Sequence, residues 1–329
     1  MTDHQSVAVL GATGFVGRAV VRALLAKGHA VKALARDREK ARAALPNDKN
    51  LTIVTGHALD PAAVATLLTG ATAAINLIGI IRPAPGNQTF SRMHVEVPKL
   101  LIDVARAQGL RRLIHMSAIG VKPDGHAEYQ RTKFEGEQLV RRSGLDWTVF
   151  RPGLIHGPDG ELVAMIKGFT SGSKQPFFFI PYFTRHVEHD EGVSLGRITF
   201  EPSMVAPVAV DDVAACFAAA LDKPATIGEV YNLVGTEELN FRQLMEWFRD
   251  NLPRADRTLP ALGIPGLAAA YQARAATAIG LGGLLPFHEG QAWMAMEDTT
   301  ASLDKVAAHL GIKPQPFRAA AQRYVASLV

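Results

Sequence analysis

The sequence predicts an α/β chain built on a doubly wound parallel sheet, and three observations carry that expectation. The apolar stretch Ser6 to Leu10 runs directly into Gly11-Ala12-Thr13-Gly14-Phe15-Val16-Gly17, a glycine-spaced turn. Val16, Ala19, Val20, Ala23 and Leu24 then recur at helical spacing as far as Gly28, where a helix stop belongs, and Ala30 to Ala35 reads as a second strand. Strand and helix patterns keep alternating through the first half of the chain, the order that produces parallel pairing.

Later elements follow by the same rules. Leu51 to Val54 and Ala73 to Ile78 are the next strands, Val95 to Ala107 is a helix, and Leu113 to Met116 is the fifth strand. A helix from Ala127 to Arg142 leads to the strand Trp147 to Phe150 and the turn Arg151-Pro152-Gly153. Residues 1–152 are thus expected to form one domain and 153–329 a smaller lobe, with segments near 207–234 returning to the first domain. The aromatic, proline-bounded stretch 176–207 reads as an insertion in that lobe. Leu259 to Phe287 is apolar, but Gln272 and Arg274 lie within it and Pro260 and Pro265 interrupt it. A membrane span needs about 20 predominantly apolar residues, so short interfacial or lobe-packing helices are expected instead.

Composition narrows the function classes. The chain has 35 Lys and Arg against 31 Asp and Glu, a formal charge of +4, and its basic residues are scattered, which excludes a nucleic-acid footprint. The single Cys216 sits in an apolar run, is expected to be a core thiol and can form no intrachain disulfide. Only Met1 to Gln5 precede the first strand, so the expected location is cytoplasmic.

A strand, a glycine turn and a helix together make a phosphate cradle. The first glycine permits the tight turn, the second lets backbone N–H groups approach a pyrophosphate, and the third allows close helix packing. The helix N-terminus adds partial positive charge. A dinucleotide is therefore the expected ligand, with Gly11, Thr13, Gly14, Phe15, Val16 and Gly17 against it. Further along, Tyr129 and Lys133 stand four residues apart on a helix and so share one face. A lysine ammonium beside a phenol lowers its pKa and equips it for proton exchange at a carbonyl or alcohol.

These features resemble the short-chain dehydrogenase/reductase superfamily, in particular its extended branch of sugar-nucleotide epimerases and dehydratases. That resemblance implies the Rossmann fold and adds Gly79, Lys133 and Pro152 to the cofactor contacts. Where NAD-using members carry an acidic residue at the end of strand two, this chain has Ala35 followed by Arg36. A missing carboxylate and a guanidinium able to bond a 2′-phosphate favour NADP(H) over NAD(H), with Arg18, Arg38 and Lys40 as further charge. The superfamily's Gly-Asp for adenine is replaced by Gly56-His57, with Asp60 further on. Its catalytic serine aligns with Ala118, one position after Ser117, and His94 stands where an Asn is usual. Catalytic candidates are therefore Tyr129, Lys133 and, as a substitute oxygen anchor, Ser117.

Asn76-Leu77-Ile78-Gly79, His115-Met116-Ser117-Ala118, Arg151-Pro152-Gly153 and Pro207-Val208-Ala209-Val210-Asp211-Asp212-Val213 bring the chain nearest an atypical group within that branch. The group includes the NADPH-binding accessory subunit of respiratory complex I and its bacterial relatives. The resemblance implies either a nucleotide-binding accessory or redox-sensing protein, with a respiratory-complex or membrane-peripheral partner at the inner face of a membrane, or an active oxidoreductase or epimerase. No metal site is expected: His186, Glu188, His189, Asp190 and Glu191 read as a solvated loop. His115 reads as a satisfied core residue and Asp211-Asp212 as a helix cap.

Overall fold

The computed structural model describes residues 4–84, 86–189, 197–280, 285 and 287–328. The chain divides into two compact units. The first comprises 1–152, 210–233 and 302–314; the second comprises 153–209, 234–301 and 315–329.

The first unit alternates β1 (Ser6–Leu10), α1 (Phe15–Ala26), β2 (Ala30–Ala35), α2 (Arg38–Ala44), β3 (Leu51–Thr55), α3 (Pro61–Leu68) and β4 (Ala73–Asn76). It continues through α4 (Val97–Ala107), β5 (Arg112–Met116), α5 (Glu128–Arg141) and β6 (Asp146–Pro152). Its seven-stranded sheet is completed by Glu229–Leu233, beside β6, and then runs β6-β5-β4-β1-β2-β3 with parallel pairing at every step. Consecutive connections reverse direction between β1 and β4. Ligands of open parallel sheets lie beyond the strand ends at such a reversal.

Helices cover both faces of the sheet. Ala8, Leu10, Leu113 and Val149 pack with Leu67 of α3, Leu101 of α4 and Val140 of α5. On the other face Phe150 meets Phe217 of the helix Val210–Ala220 at 4.6 Å between ring centroids. The third piece of the unit, which periodicity does not reveal, carries the helix Asp304–Leu310 and joins the edge strand through Tyr231 Oη and His309 Nδ1, 2.7 Å apart. Two local departures matter for the site. The helix expected from Val95 begins earlier, with a π-helical turn over Arg92–Glu96. Asp211 and Asp212 lie inside the first turn of their helix and are not its cap.

In the second unit, Phe169, Ile180, Phe248 and Phe317 share a core. Part of the expected insertion forms the strands Ile180–His189 and Arg197–Pro202, paired antiparallel, while Ala261–Pro265 lies parallel on the other side of the first. The apolar stretch expected as short helices is this strand followed by the helix Gly266–Ala278. Residues 281–284 and 286 of that stretch lie outside the described residues.

Candidate nucleotide-binding site

Each glycine of the turn answers a different geometric demand. Gly11 has φ +79, and a Cβ there would come within 3.0 Å of the Leu77 carbonyl carbon that follows β4. Gly17 faces the turn so closely that a Cβ would fall on the Gly11 carbonyl oxygen. Gly14 is the N-cap of α1, and a Cβ on it would be 3.3 Å from the same oxygen. No side chain caps α1, and its first turn carries no acidic residue. Its leading N–H groups therefore lack an intrahelical partner and favour an anion. A cradle that side chains would fill, at an uncapped helix start, fits a pyrophosphate. Thr13 is held in the turn through its carbonyl oxygen, which accepts from Arg18 Nη1 at 3.0 Å.

Beside the turn is a cavity of about 220 Å³ lined by Thr13, Ala35, Arg36, Asp37, Lys40 and Ala41. Arg36 is exposed, and the Asp37 carboxylate caps α2, accepting from the Glu39 and Lys40 N–H groups at 3.0 Å each. Arg38, expected here, instead lines a separate depression of about 500 Å³ with Arg42 and Leu45. It follows Asp37 into α2, so the helix carries it away from the cavity. Asp60 caps α3 through the Ala62 N–H at 3.0 Å, and His57 Nδ1 accepts from the Leu59 N–H at 3.2 Å. Both side chains stabilise the start of α3.

On α5, Lys133 is buried and its Nζ donates to the Met116 carbonyl at 2.6 Å, tying the helix to the end of β5. A Cβ on Gly79 would lie 3.1 Å from that Nζ, so this glycine makes room for the lysine. Burial lowers the Lys133 pKa to about 8 against a smaller opposing pull from Glu137. Burial also pushes Tyr129 up to about 12, making it a neutral phenol at physiological pH. Its ring stands edge-on to His94 at 5.3 Å and to Phe90 at 6.0 Å.

His94 has a role that sequence reasoning missed. Its Nε2 accepts from the Ile80 N–H at 3.1 Å, and its Nδ1–H faces Thr132 Oγ1 at 2.9 Å. Thr132 in turn donates to the Glu128 carbonyl at 2.8 Å. This neutral imidazole, its pKa drawn down to about 2 first by burial and then by Lys133, joins the loop after β4 to the helix bearing Tyr129 and Lys133. The available signal was its place at the position where the superfamily has an amide side chain.

Ser117 is brought near this group but faces another partner. Its Oγ donates to Glu137 Oε2 at 2.8 Å, and Glu137 also receives Arg151 Nε and Nη2 at 2.8 and 2.6 Å. The hydroxyl expected to anchor a reacting oxygen is therefore engaged within a buried ionic network, while Ala118 has no hydroxyl. Pro152 ends β6, and its carbonyl accepts from the Ile119 N–H at 3.0 Å. His115 is only half satisfied: Asn76 Nδ2 donates to its Nδ1 at 3.2 Å, but its buried Nε2 has no partner among the described residues. No cluster of three metal-ligating side chains occurs among the described residues; Asp190 and Glu191 lie outside them.

A parallel sheet with a phosphate-fitting turn at its reversal point defines a dinucleotide-binding protein of the Rossmann class. The chain belongs to the NAD(P)H-binding family, whose model matches residues 11–175. It is similar to a ceramide reductase of Caulobacter vibrioides, 32% identical over 168 residues covering 50% of this chain and 52% of that one. It is also similar to the mitochondrial NADH dehydrogenase [ubiquinone] 1 alpha subcomplex subunit 9 of Arabidopsis thaliana, 26% identical over 246 residues, 74% of this chain and 56% of that one. The chain thus spans about half the length of the curated relatives it matches. Among solved structures, the dTDP-glucose 4,6-dehydratase DesIV of Streptomyces venezuelae shares the fold, with a TM-score of 0.69, 20% identity and coverage of 97% of this chain and 95% of that one. No helix among the described residues is long and apolar enough to cross a membrane.

Proposed function

We propose that this protein holds NADP(H) as a resident nucleotide and works as an accessory or redox-reporting protein, with little or no turnover of its own. The observation that carries this is the split within the site. The glycine turn suited to a pyrophosphate is complete, whereas Ala118 offers no hydroxyl and that of Ser117 is taken by Glu137. A missing oxygen anchor weakens stabilisation of the transition state far more than it weakens ground-state binding.

In this reading Gly11, Thr13, Gly14, Phe15, Val16 and Gly17 hold the pyrophosphate, and Gly79 and Pro152 border the nicotinamide half. Lys133 holds the nicotinamide ribose. The preference for a 2′-phosphate rests on Ala35, which adds no negative charge, and on Arg36 beside a cavity whose one carboxylate is turned to capping α2. Similarity to the Arabidopsis subunit supports a respiratory-complex partner.

Native mass spectrometry of the purified protein tests the proposal. NADP(H) retained at one per chain is expected, with single-turnover nicotinamide absorbance flat on sugar nucleotides and simple carbonyls. The Tyr129-Lys133 pair, together with similarity to a ceramide reductase, favours the second reading, a working oxidoreductase. Tyr129 would then exchange the proton while the nicotinamide carried hydride. Fast hydride transfer that disappears in Tyr129→Phe, with cofactor affinity unchanged, would establish that reading and refute the first.

A further inference from the structure

The second unit leaves large apolar side chains in water within two segments that contain no acid. Phe178 is 80% exposed, Ile279 71% and Tyr271 57%, with Phe177, Leu262 and Leu267 also exposed. No Asp or Glu occurs between Glu161 and Glu188, or between Asp256 and Glu289. At the chain's overall frequency of 31 acids in 329 residues these stretches would carry about five. They do contain basic residues: Lys174, Arg257 and Arg274 are all exposed.

Backbone pairing brings the two segments together. The Ile180 N–H donates to the Pro260 carbonyl at 2.9 Å, and Pro181 is in register with Leu262. Phe177 and Phe178 thus precede the strand that Leu262 flanks. The helix Gly266–Ala278 buries Gly266, Ala269, Ala270 and Ala273 against its own unit. Its opposite side displays Leu267, Tyr271 and Arg274, spaced by four and three residues, with Ile279 just beyond its end. A helix that is apolar all round is ordinarily enclosed. This one has a single charge in its length, and that charge is positive.

We propose that the second unit docks on an anionic lipid bilayer surface through the face that carries Phe177, Phe178, Leu262, Leu267, Tyr271 and Ile279. Aromatic and aliphatic side chains enter the headgroup boundary, while Lys174, Arg257 and Arg274 meet lipid phosphates. The absence of acids from both segments favours this occupant, because a negatively charged surface repels carboxylates. The proposal is independent of the nucleotide reading, since none of these residues belongs to the cofactor-binding unit.

Co-sedimentation of the full chain with phosphatidylglycerol vesicles and with phosphatidylcholine vesicles, at low and high salt, tests it. Binding to the anionic vesicles, weakened by salt and weaker on the zwitterionic ones, is expected. Lys174→Glu/Arg274→Glu should lower the partition coefficient at least 20-fold, from about fivefold per basic side chain lost plus the added repulsion. Phe177→Ser/Phe178→Ser should abolish most binding, with NADPH titration and circular dichroism of both variants matching wild type. Absence of vesicle binding overturns the proposal. So does binding that is equal for both lipids and insensitive to the charge reversals. Self-association in sedimentation velocity that Phe177→Ser/Phe178→Ser removes, without vesicle binding, would assign the face to a second copy of the chain instead.

Discussion

Breaking the Glu137–Arg151 pair tests most directly how the site is held together. The Glu137 side chain is inaccessible to solvent, whereas that of Arg151 keeps 25% of its surface. Glu137→Leu removes the acceptor of two Arg151 bonds and of the Ser117 hydroxyl, leaving a guanidinium without its counter-charge. Removing one partner of a buried ion pair costs about 3–5 kcal/mol, and the partial exposure of Arg151 places this variant at the lower end, about 3 kcal/mol. Arg151→Leu is the costlier change at about 4 kcal/mol, because a fully buried carboxylate then keeps only Ser117 and a long contact to Arg141. The double variant removes both charges. What remains is one unpaired serine hydroxyl, a cost of about 1–2 kcal/mol. The coupling is therefore about 5 kcal/mol, read from urea denaturation of the four proteins with unchanged m-values. A double variant that costs as much as the sum of the two singles would refute the buried network as the support of β5 and α5.

Arg36→Ala is expected to lose about 1–3 kcal/mol of NADPH affinity and little NADH affinity, measured by calorimetric titration; equal wild-type affinities for the two nucleotides would end the NADP assignment. Gly17→Ala should abolish nucleotide binding and lower Tm, since its methyl falls on the Gly11 carbonyl, whereas Gly14→Ala should fold and Gly14→Val should fold but fail to bind; normal NADPH affinity in Gly14→Val excludes the phosphate cradle. Lys133 supplies a pH test: its pKa is about 8 folded against 10.5 unfolded, so the unfolded chain binds more protons between those values and stability gains from this group as pH rises through that window. Wild type should thus gain about 3 kcal/mol relative to Lys133→Met from pH 8 to 10.5, and parallel stability curves would show that Lys133 is not desolvated.

Backbone architecture was far more legible than side-chain commitments. The strands Ser6–Leu10 and Ala30–Ala35 lie where apolar runs and glycines mark them, because fully buried parallel strands leave little choice of composition. The π-helical turn before Val97 was not legible, since nothing in periodicity distinguishes it from an ordinary helix start. The helix Asp304–Leu310 was equally hidden. Only Val306 and Leu310 are buried in it, too few for a periodic signal. Ser117 shows why a site is harder to read than a strand. Its location at the end of β5 was plain, but the direction of its hydroxyl is set by Glu137, 20 residues later, and by Arg151 on another strand. Such a network follows from sheet order and helix rotation together, and neither is written in local spacing.

The same contacts give Tyr129 and Lys133 structural roles that do not depend on a hydroxyl at position 118. The Lys133 ammonium holds the Met116 carbonyl at the end of β5 and fills the space that Gly79 leaves open, so it closes the carboxyl edge of the sheet whether or not hydride ever moves. Tyr129 packs its ring against His94 and Phe90, which supports the loop after β4 through the Ile80 N–H. Both residues therefore have packing or hydrogen-bonding duties of their own beside β4 and β5, and losing either would disturb folding first. A serine hydroxyl at position 118 would have no such duty. Its contribution arises only when charge develops on a reacting oxygen, so a protein whose task is to hold the nucleotide can lose that hydroxyl at no cost while still needing the tyrosine and the lysine.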